Sequence, residues 1–295
     1  MPPQFQLTLQ HDHCRVTFPA MASTCEVLLD TTDLSLALTL GQAARAEALR
    51  IEHKYSRYRE GNPVWEINQS NGQTVSLDEE TAALIDFSHS LWQMSEGRFD
   101  ITSGALRKVW TFDGSDKVPA QADVASVLPH IGWHKVSWQK PALTLPAGMQ
   151  IDLGGVGKEY AVDKVFALIQ SRWPGACLVN FGGDLRVQGP RTDGRSWQIG
   201  IEKASGEASN QVISLTQGAL ATSGDARRFL LKEGIRYSHI LDPRSGWPVN
   251  NAPRSVSVMA PTCLQAGMLS SLAMLMGAEA ETFLDQQKVR YWSER

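Results

Sequence analysis

The stretch QIDLGGVGKEYAVDKV, Gln150 to Val165, constrains this chain more than any other. An apolar, strand-like run breaks into three glycines, meets a lysine and continues at once as a helix of alternating apolar and charged residues. A strand, a glycine-permitted tight turn and a helix start together aim backbone N–H groups at one point, where a phosphate can be held. The plainer reading is that the glycines only turn a corner between packed elements.

The rest of the chain supplies matching pieces. CRVTFPAMASTCEVLL, Cys14 to Leu29, alternates and is rich in β-branched residues, so it predicts two strands bent at Pro19. Helical spacing of Ala and Leu predicts a helix from Leu34 to Tyr55. A second helix, capped by Asp78 or Ser76, runs from Glu79 and ends at Gly97, with Trp92 and Met94 read as core. A helix from Glu159 to Ser171 follows the glycine stretch, and Asp163 is expected to face solvent on it. ACLVNFGGDLRVQG, WQIGIEKA and QVISLTQGALATSGD read as strands punctuated by glycine, RYSHILDPRSGWPV as a strand end entering a Pro/Gly turn, and SVSVMA as a last strand before a long helix near Thr262. With no repeat, low-complexity run or linker, the expected fold is α+β (mixed α/β), one body of residues 1–295 with two intimately joined lobes.

Composition narrows the function. A net charge of −3 with scattered Lys and Arg gives no basic footprint, which argues against nucleic acid as the main ligand. The four cysteines, Cys14, Cys25, Cys177 and Cys263, form no CxxC pair and are expected as buried or free thiols. His11, His13 and Cys14 sit near the terminus, where a metal site would lack support. The first residues show no basic start followed by an apolar run, so the cytoplasm is the default expectation; a trimmed leader would allow the periplasm. The most apolar tract, Cys263 to Gly277, is too short and too polar for a membrane span.

Five polar, glycine-bearing spots are expected at the ends of apolar strands: GRFDITSG, DLGGVGK, NFGGD, TSGD and HILDPRSG. Each alone is more often a turn than a site, and Asp184 and Asp225 read first as turn-closing carboxylates. Taken in order, with MAST at Met21 and SRYR at Ser56 to Arg59, they resemble the ApbE family, the FAD:protein FMN transferases, over nearly all of the chain, about residues 21–277.

That resemblance implies an ApbE/T-fold-like protein that splits FAD, attaches FMN through a phosphoester to a Thr or Ser of a partner protein, releases AMP and uses Mg2+. By position, Met21 and Tyr58 would contact the flavin with Arg98, Phe99 and Asp100 beside it, and Leu241 would offer its main chain. Asp152 and Lys158 would hold the ribose or diphosphate end of FAD, and His239 would act as the base on the acceptor hydroxyl. The chemistry suits these residue types. Helix-start N–H groups near Gly157 and the Lys158 ammonium favour charge developing on a leaving phosphate, and a histidine accepts a proton at neutral pH. Read without the resemblance, Lys158 is a solvated helix-start lysine and His239 a satisfied strand-end histidine.

Two positions depart from the family pattern. Its metal is held by Asp and Thr of a segment like ADALAT together with a carbonyl of the glycine loop. Here that segment is AGMLSS, so Ser271 stands for the Thr and Gly155 offers the carbonyl, but Gly267 replaces the carboxylate. A hard cation wants anionic oxygen, so Mg2+ should be weakened unless Asp242 or a substrate phosphate substitutes. The second departure is Glu159, where the family has glycine; its charge would be unwelcome beside a diphosphate unless it points outward. Three readings follow: an active FMN transferase, an FAD-binding protein that has lost the metal chemistry, and an FAD diphosphate hydrolase giving FMN and AMP.

Overall fold

A computed structural model describes residues 4–202, 208–226 and 228–295. Its centre is one eight-stranded sheet. The strands are β1 (Gln6–Leu9), β2 (Cys14–Ala20), β3 (Ser23–Leu29), β4 (Cys177–Phe181), β5 (Asp184–Gln188), β6 (Gly218–Gly224), β7 (Ser255–Ala260) and β8 (Tyr291–Glu294). They lie side by side in chain order, every neighbouring pair antiparallel. All other elements are excursions between consecutive strands, which places the fold in the mixed α+β class expected.

Three helices cover one face: α1 (Leu34–Tyr55), α2 (Gly157–Arg172) and α3 (Cys263–Met276). The two-residue period of the strands decides what they cover. Val16 pairs with Val27 and Val27 with Val179, so these residues share a face with Phe18, Cys25 and Phe181, all fully buried. The alternate residues Leu28, Leu178, Leu185 and Val187 face the other way, onto a hairpin of Trp197–Glu202 and Ala208–Leu215. The end of the strand expected over Trp197–Ala204, residues Lys203 and Ala204, lies outside the described residues. A second lobe gathers Leu106, Trp110, Val124 and Leu230 with Tyr237 and Trp247.

The α1 helix begins where Asp33 accepts the N–H groups of Ser35 and Leu36, and it buries Ala37, Leu40, Ala44, Ala48 and Ile51 at helical spacing. Gly41 lets it close on β2, since a Cβ there would stand 2.8 Å from both Val16 methyls. The helix Glu79–Met94 is capped by Asp78, which accepts from Glu80 and Thr81. It stops before Gly97, and Met94 at its end is 58% exposed, so only Trp92 of the expected pair packs on the core. All four cysteines are buried and unpaired.

Two expectations about the backbone fail. Pro19 does not bend the first hairpin; it lies inside β2 opposite Thr24, and the chain reverses at Met21 and Ala22. Both have positive φ, 53° and 55°, because a two-residue hairpin loop must match the strand twist even without glycine. Residues 150–153 join no sheet. Side chain and loop satisfy the backbone there instead: Asn68 donates to the Ile151 carbonyl and accepts from its N–H, and Asp152 N–H donates to the Ile101 carbonyl.

Candidate functional site

The glycines of the opening stretch act by small size, not by unusual torsion: Gly154, Gly155 and Gly157 are absent from the positive-φ residues. Asp152 accepts the Gly154 N–H at 2.8 Å, and a Cβ on Gly154 would stand 3.0 Å from that same oxygen. A Cβ on Gly155 would meet the Phe99 ring at 3.4 Å. The loop thus presses against its neighbours and releases the chain into α2, whose N-cap, Val156, makes no side-chain capping bond. The Gly157 N–H is spent on the Leu153 carbonyl at 2.9 Å, so the Lys158 N–H is the first of the helix start left without a backbone partner.

Lys158 is not a freely solvated lysine. Its ammonium lies 2.6 Å from Asp184, whose other oxygen accepts the Thr222 N–H, so Asp184 bridges β5 to β6 and to the helix rather than closing a turn. Burial opposes the lysine charge, but the Asp184 and Glu159 carboxylates outweigh it and hold the pKa above the ordinary value. Glu159 also departs from expectation: it is buried between α2 and α3, not turned outward. Burial, with the Asp184 charge added, pushes its carboxyl up to about 8. One turn on, Asp163 is no solvent-facing residue: it pairs with Arg186 at 2.8 Å and accepts the N–H groups of Cys263 and Leu264, capping α3.

Across the loop, Asp152 faces two arginines at 3.4 Å, Arg57 and Arg107. Arg57 also donates to the Gly104 carbonyl and to Gln150. Arg107 donates to the hydroxyl of Tyr58, whose side chain is left 76% exposed. Met21 joins through α1: its N–H donates to Glu52, and Glu52 also faces Arg59 of the SRYR segment. The strained Met21–Ala22 turn abuts the Gly182–Gly183 turn, where Gly182 N–H reaches the Thr24 carbonyl.

The remaining candidates divide into exposed groups and consumed ones. Asp100 is buried, and its carboxylate is taken up by the N–H and hydroxyl of Thr102 and the N–H of Trp133. Phe99 lies against the Gly155 loop, and the Arg98 charge is felt by Asp242. Leu241 faces Pro248 in a bridge flanked by the Asp242–Trp247 and Val249–Ile240 bonds. In that antiparallel pattern the Leu241 N–H and carbonyl point away from the pair, available to a ligand. Asp242, the alternative metal ligand, is gripped by Arg244. Asp225 holds Arg236 and Arg254 rather than a turn.

His239 donates from Nδ1 to the Arg228 carbonyl at 3.1 Å, since a carbonyl only accepts; this fixes the tautomer and leaves Nε2 with its lone pair. Burial and then the Arg228 charge lower its pKa to about 4, with Arg107 adding to the effect. Ser271 shares a hydroxyl cluster with Ser223, at 3.0 Å, and Ser223 also meets Ser270. Among the described residues no three His, Cys, Asp or Glu side chains converge as a metal cluster. A cavity of about 420 Å³ beside Asn68, Ser70, Lys108 and Gln150 is lined by none of the candidate residues.

Sequence reading overlooked Arg107 and Asp184 as partners. Arg57 stood inside the quoted SRYR motif, but nothing in the sequence near Arg107 distinguished it from any other helical arginine.

The geometry defines an α+β protein in which a glycine loop opens directly into a helix beside a Lys–Asp pair. Residues 21–292 match the ApbE family, and the chain belongs to it. It is 30% identical over 237 residues to an FAD:protein FMN transferase of Vibrio cholerae, covering 78% of this chain and 71% of that one. A Chlamydia pneumoniae protein of the same name is 31% identical over 257 residues, covering 83% and 78%. Among solved structures, the ApbE protein of Thermotoga maritima superposes with a TM-score of 0.85 at 28% identity, covering 98% of this chain and 94% of that one. The flavin transferase ApbE of Vibrio cholerae gives 0.83 at 25% identity, covering 98% and 94%. No helix among the described residues is long and apolar enough to cross a membrane.

Proposed function

We propose that this chain, read as one ApbE-like domain over residues 1–295, is an FAD:protein FMN transferase. FAD is the substrate, with its flavin at Met21, Tyr58 and Phe99, Arg98 and the Asp100 backbone beside them, and the Leu241 main chain completing the contact. The diphosphate lies at the start of α2. The observation that carries the reading is the role of Arg107: it touches both Asp152 beside the glycine loop and the exposed Tyr58, and its charge reaches His239.

A Thr or Ser hydroxyl of the acceptor protein attacks the FMN-side phosphorus. A new P–O bond forms, the bond to the AMP phosphate breaks, and the hydroxyl proton passes to Nε2 of His239. His239 is suited to this because it is neutral well below pH 7 and its tautomer is held. The uncapped α2 start and Lys158 stabilise charge on the departing AMP, with Asp184 fixing the ammonium in place. Asp152, steadied by Arg57 and Arg107, orients the ribose.

Magnesium belongs with this chemistry, and when bound it neutralises diphosphate charge. The Gly155 carbonyl and the Ser271 hydroxyl are oxygen donors of the right kind, whereas Gly267 contributes none.

The test is incubation with FAD, Mg2+ and an acceptor peptide carrying a Thr or Ser flavinylation motif, read by mass spectrometry. Peptide heavier by FMN with an equal amount of AMP is expected. AMP with free FMN and unlabelled peptide would make it a hydrolase, and FAD binding without AMP a carrier.

A further inference from the structure

Both departures from the family pattern fall at one point in space. If residue 267 carried a Cβ, that atom would stand 2.5 Å from Glu159 Cγ, 3.0 Å from Cδ and 2.9 Å from Oε1. The Glu159 carboxyl group therefore fills the volume that a side chain on α3 would otherwise take. A residue other than glycine at 267 and an inward glutamate at 159 exclude each other.

The glutamate does more than fill space. Its Oε2 is buried without a hydrogen-bond partner, and among the described residues Glu159 makes no ion pair, because the adjacent Lys158 is engaged by Asp184. A buried carboxylate oxygen with no partner is costly and calls for a cation or a proton. Ser271 lies one helical turn beyond Gly267 on the same face of α3, and Gly155 precedes Glu159 in the loop that opens α2. The Glu159 carboxyl thus packs against α3 at Gly267, one turn before Ser271, and its backbone follows Gly155 by four residues.

We propose that Glu159 is the anionic magnesium ligand of this chain, the carboxylate having moved from α3 to α2. The exchange is reciprocal: glycine stands where the family has its aspartate, and a carboxylate stands where the family has glycine. The proposal rests on the transferase reading only for the identity of the metal.

The experiment titrates Mn2+, a spectroscopic stand-in for Mg2+, into the purified chain with and without FAD, following free Mn2+ by electron paramagnetic resonance. Wild type binds Mn2+, and Glu159→Gln, nearly isosteric but neutral, binds it at least about tenfold more weakly. The paired exchange Glu159→Gly with Gly267→Asp returns the affinity to within a few-fold of wild type. Thermal melts of each variant identify any that has unfolded; in that event Glu159→Asp, which keeps the charge but shortens its reach, replaces it and is expected to weaken Mn2+ binding. Equal Mn2+ affinity in wild type and Glu159→Gln overturns the proposal, as does a wild type that binds no Mn2+ in either condition. Mn2+ binding that depends on Glu159 in a protein that never labels the acceptor leaves the metal ligand standing and removes the transferase reading. Labelling with unaltered Mn2+ binding in Glu159→Gln does the reverse.

Discussion

The two walls of the site handle charge differently. On the α2 and α3 side, ionised groups are buried and bound to one another: Lys158 to Asp184, and Asp163 to Arg186 and the first N–H groups of α3. The opposite side also pairs Asp152 with Arg57 and Arg107, but there Tyr58 stands in solvent and desolvation keeps His239 neutral. Fixed charge near a diphosphate favours binding and leaving-group departure without reorganisation, while a neutral imidazole with a free lone pair can accept a proton. Stability and proton transfer are therefore expected to separate between the walls under mutation.

The largest expected separation is at His239. His239→Asn should lower kcat by about 10²- to 10⁴-fold with FAD affinity unchanged, measured by AMP release and flavin fluorescence; a matching loss of affinity would merge the two walls. Asp163→Ala should do the opposite, lowering unfolding free energy by about 2–4 kcal/mol in urea as a cap and a charged pair are lost together. Lys158→Met should weaken FAD binding by about 10- to 100-fold, the loss of one charge-assisted contact. Gly267→Asp alone should destabilise by about 1–3 kcal/mol through overpacking against Glu159, and adding Glu159→Gly should recover most of it.

A separate expected effect is in pH dependence. Because the folded His239 pKa lies near 4 rather than at the ordinary 6.5, the unfolded chain takes up a proton between those values that the folded imidazole refuses. Stability contributed by the neutral ring is present above 6.5 and is lost as pH falls toward 4. The acid limb of kcat/KM should accordingly fall below pH 5, and a limb near 6.5 would show that the ring is solvated during turnover.

Much of this architecture was legible in the chain. The helix from Leu34 to Tyr55 matches its expected ends because propensity, amphipathic spacing and the Asp33 cap agree. NFGGD, TSGD and HILDPRSG do stand at strand ends, because small residues and turn chemistry leave local marks, whereas GRFDITSG follows a helix and DLGGVGK follows a segment outside any sheet. What could not be read was long-range. Asn68 replaces a strand partner for Ile151, Asp184 pairs with Lys158, and Asp163 caps a helix a hundred positions later; no local pattern encodes such meetings. The mutual exclusion of Glu159 and Gly267 belongs here too. As letters they were two separate irregularities, and only the packing of α2 on α3 makes them one.

The sheet runs in chain order, yet the seam between β3 and β4 spans everything from Asp30 to Ala176. Closing so distant a contact is entropically demanding and slow compared with zipping a hairpin. That seam is also what brings the Met21 turn beside the Gly182 turn. The end of the sheet that carries the Met21 and Gly182 turns is therefore complete only once that seam has closed, and a chain lacking the seam lacks that surface.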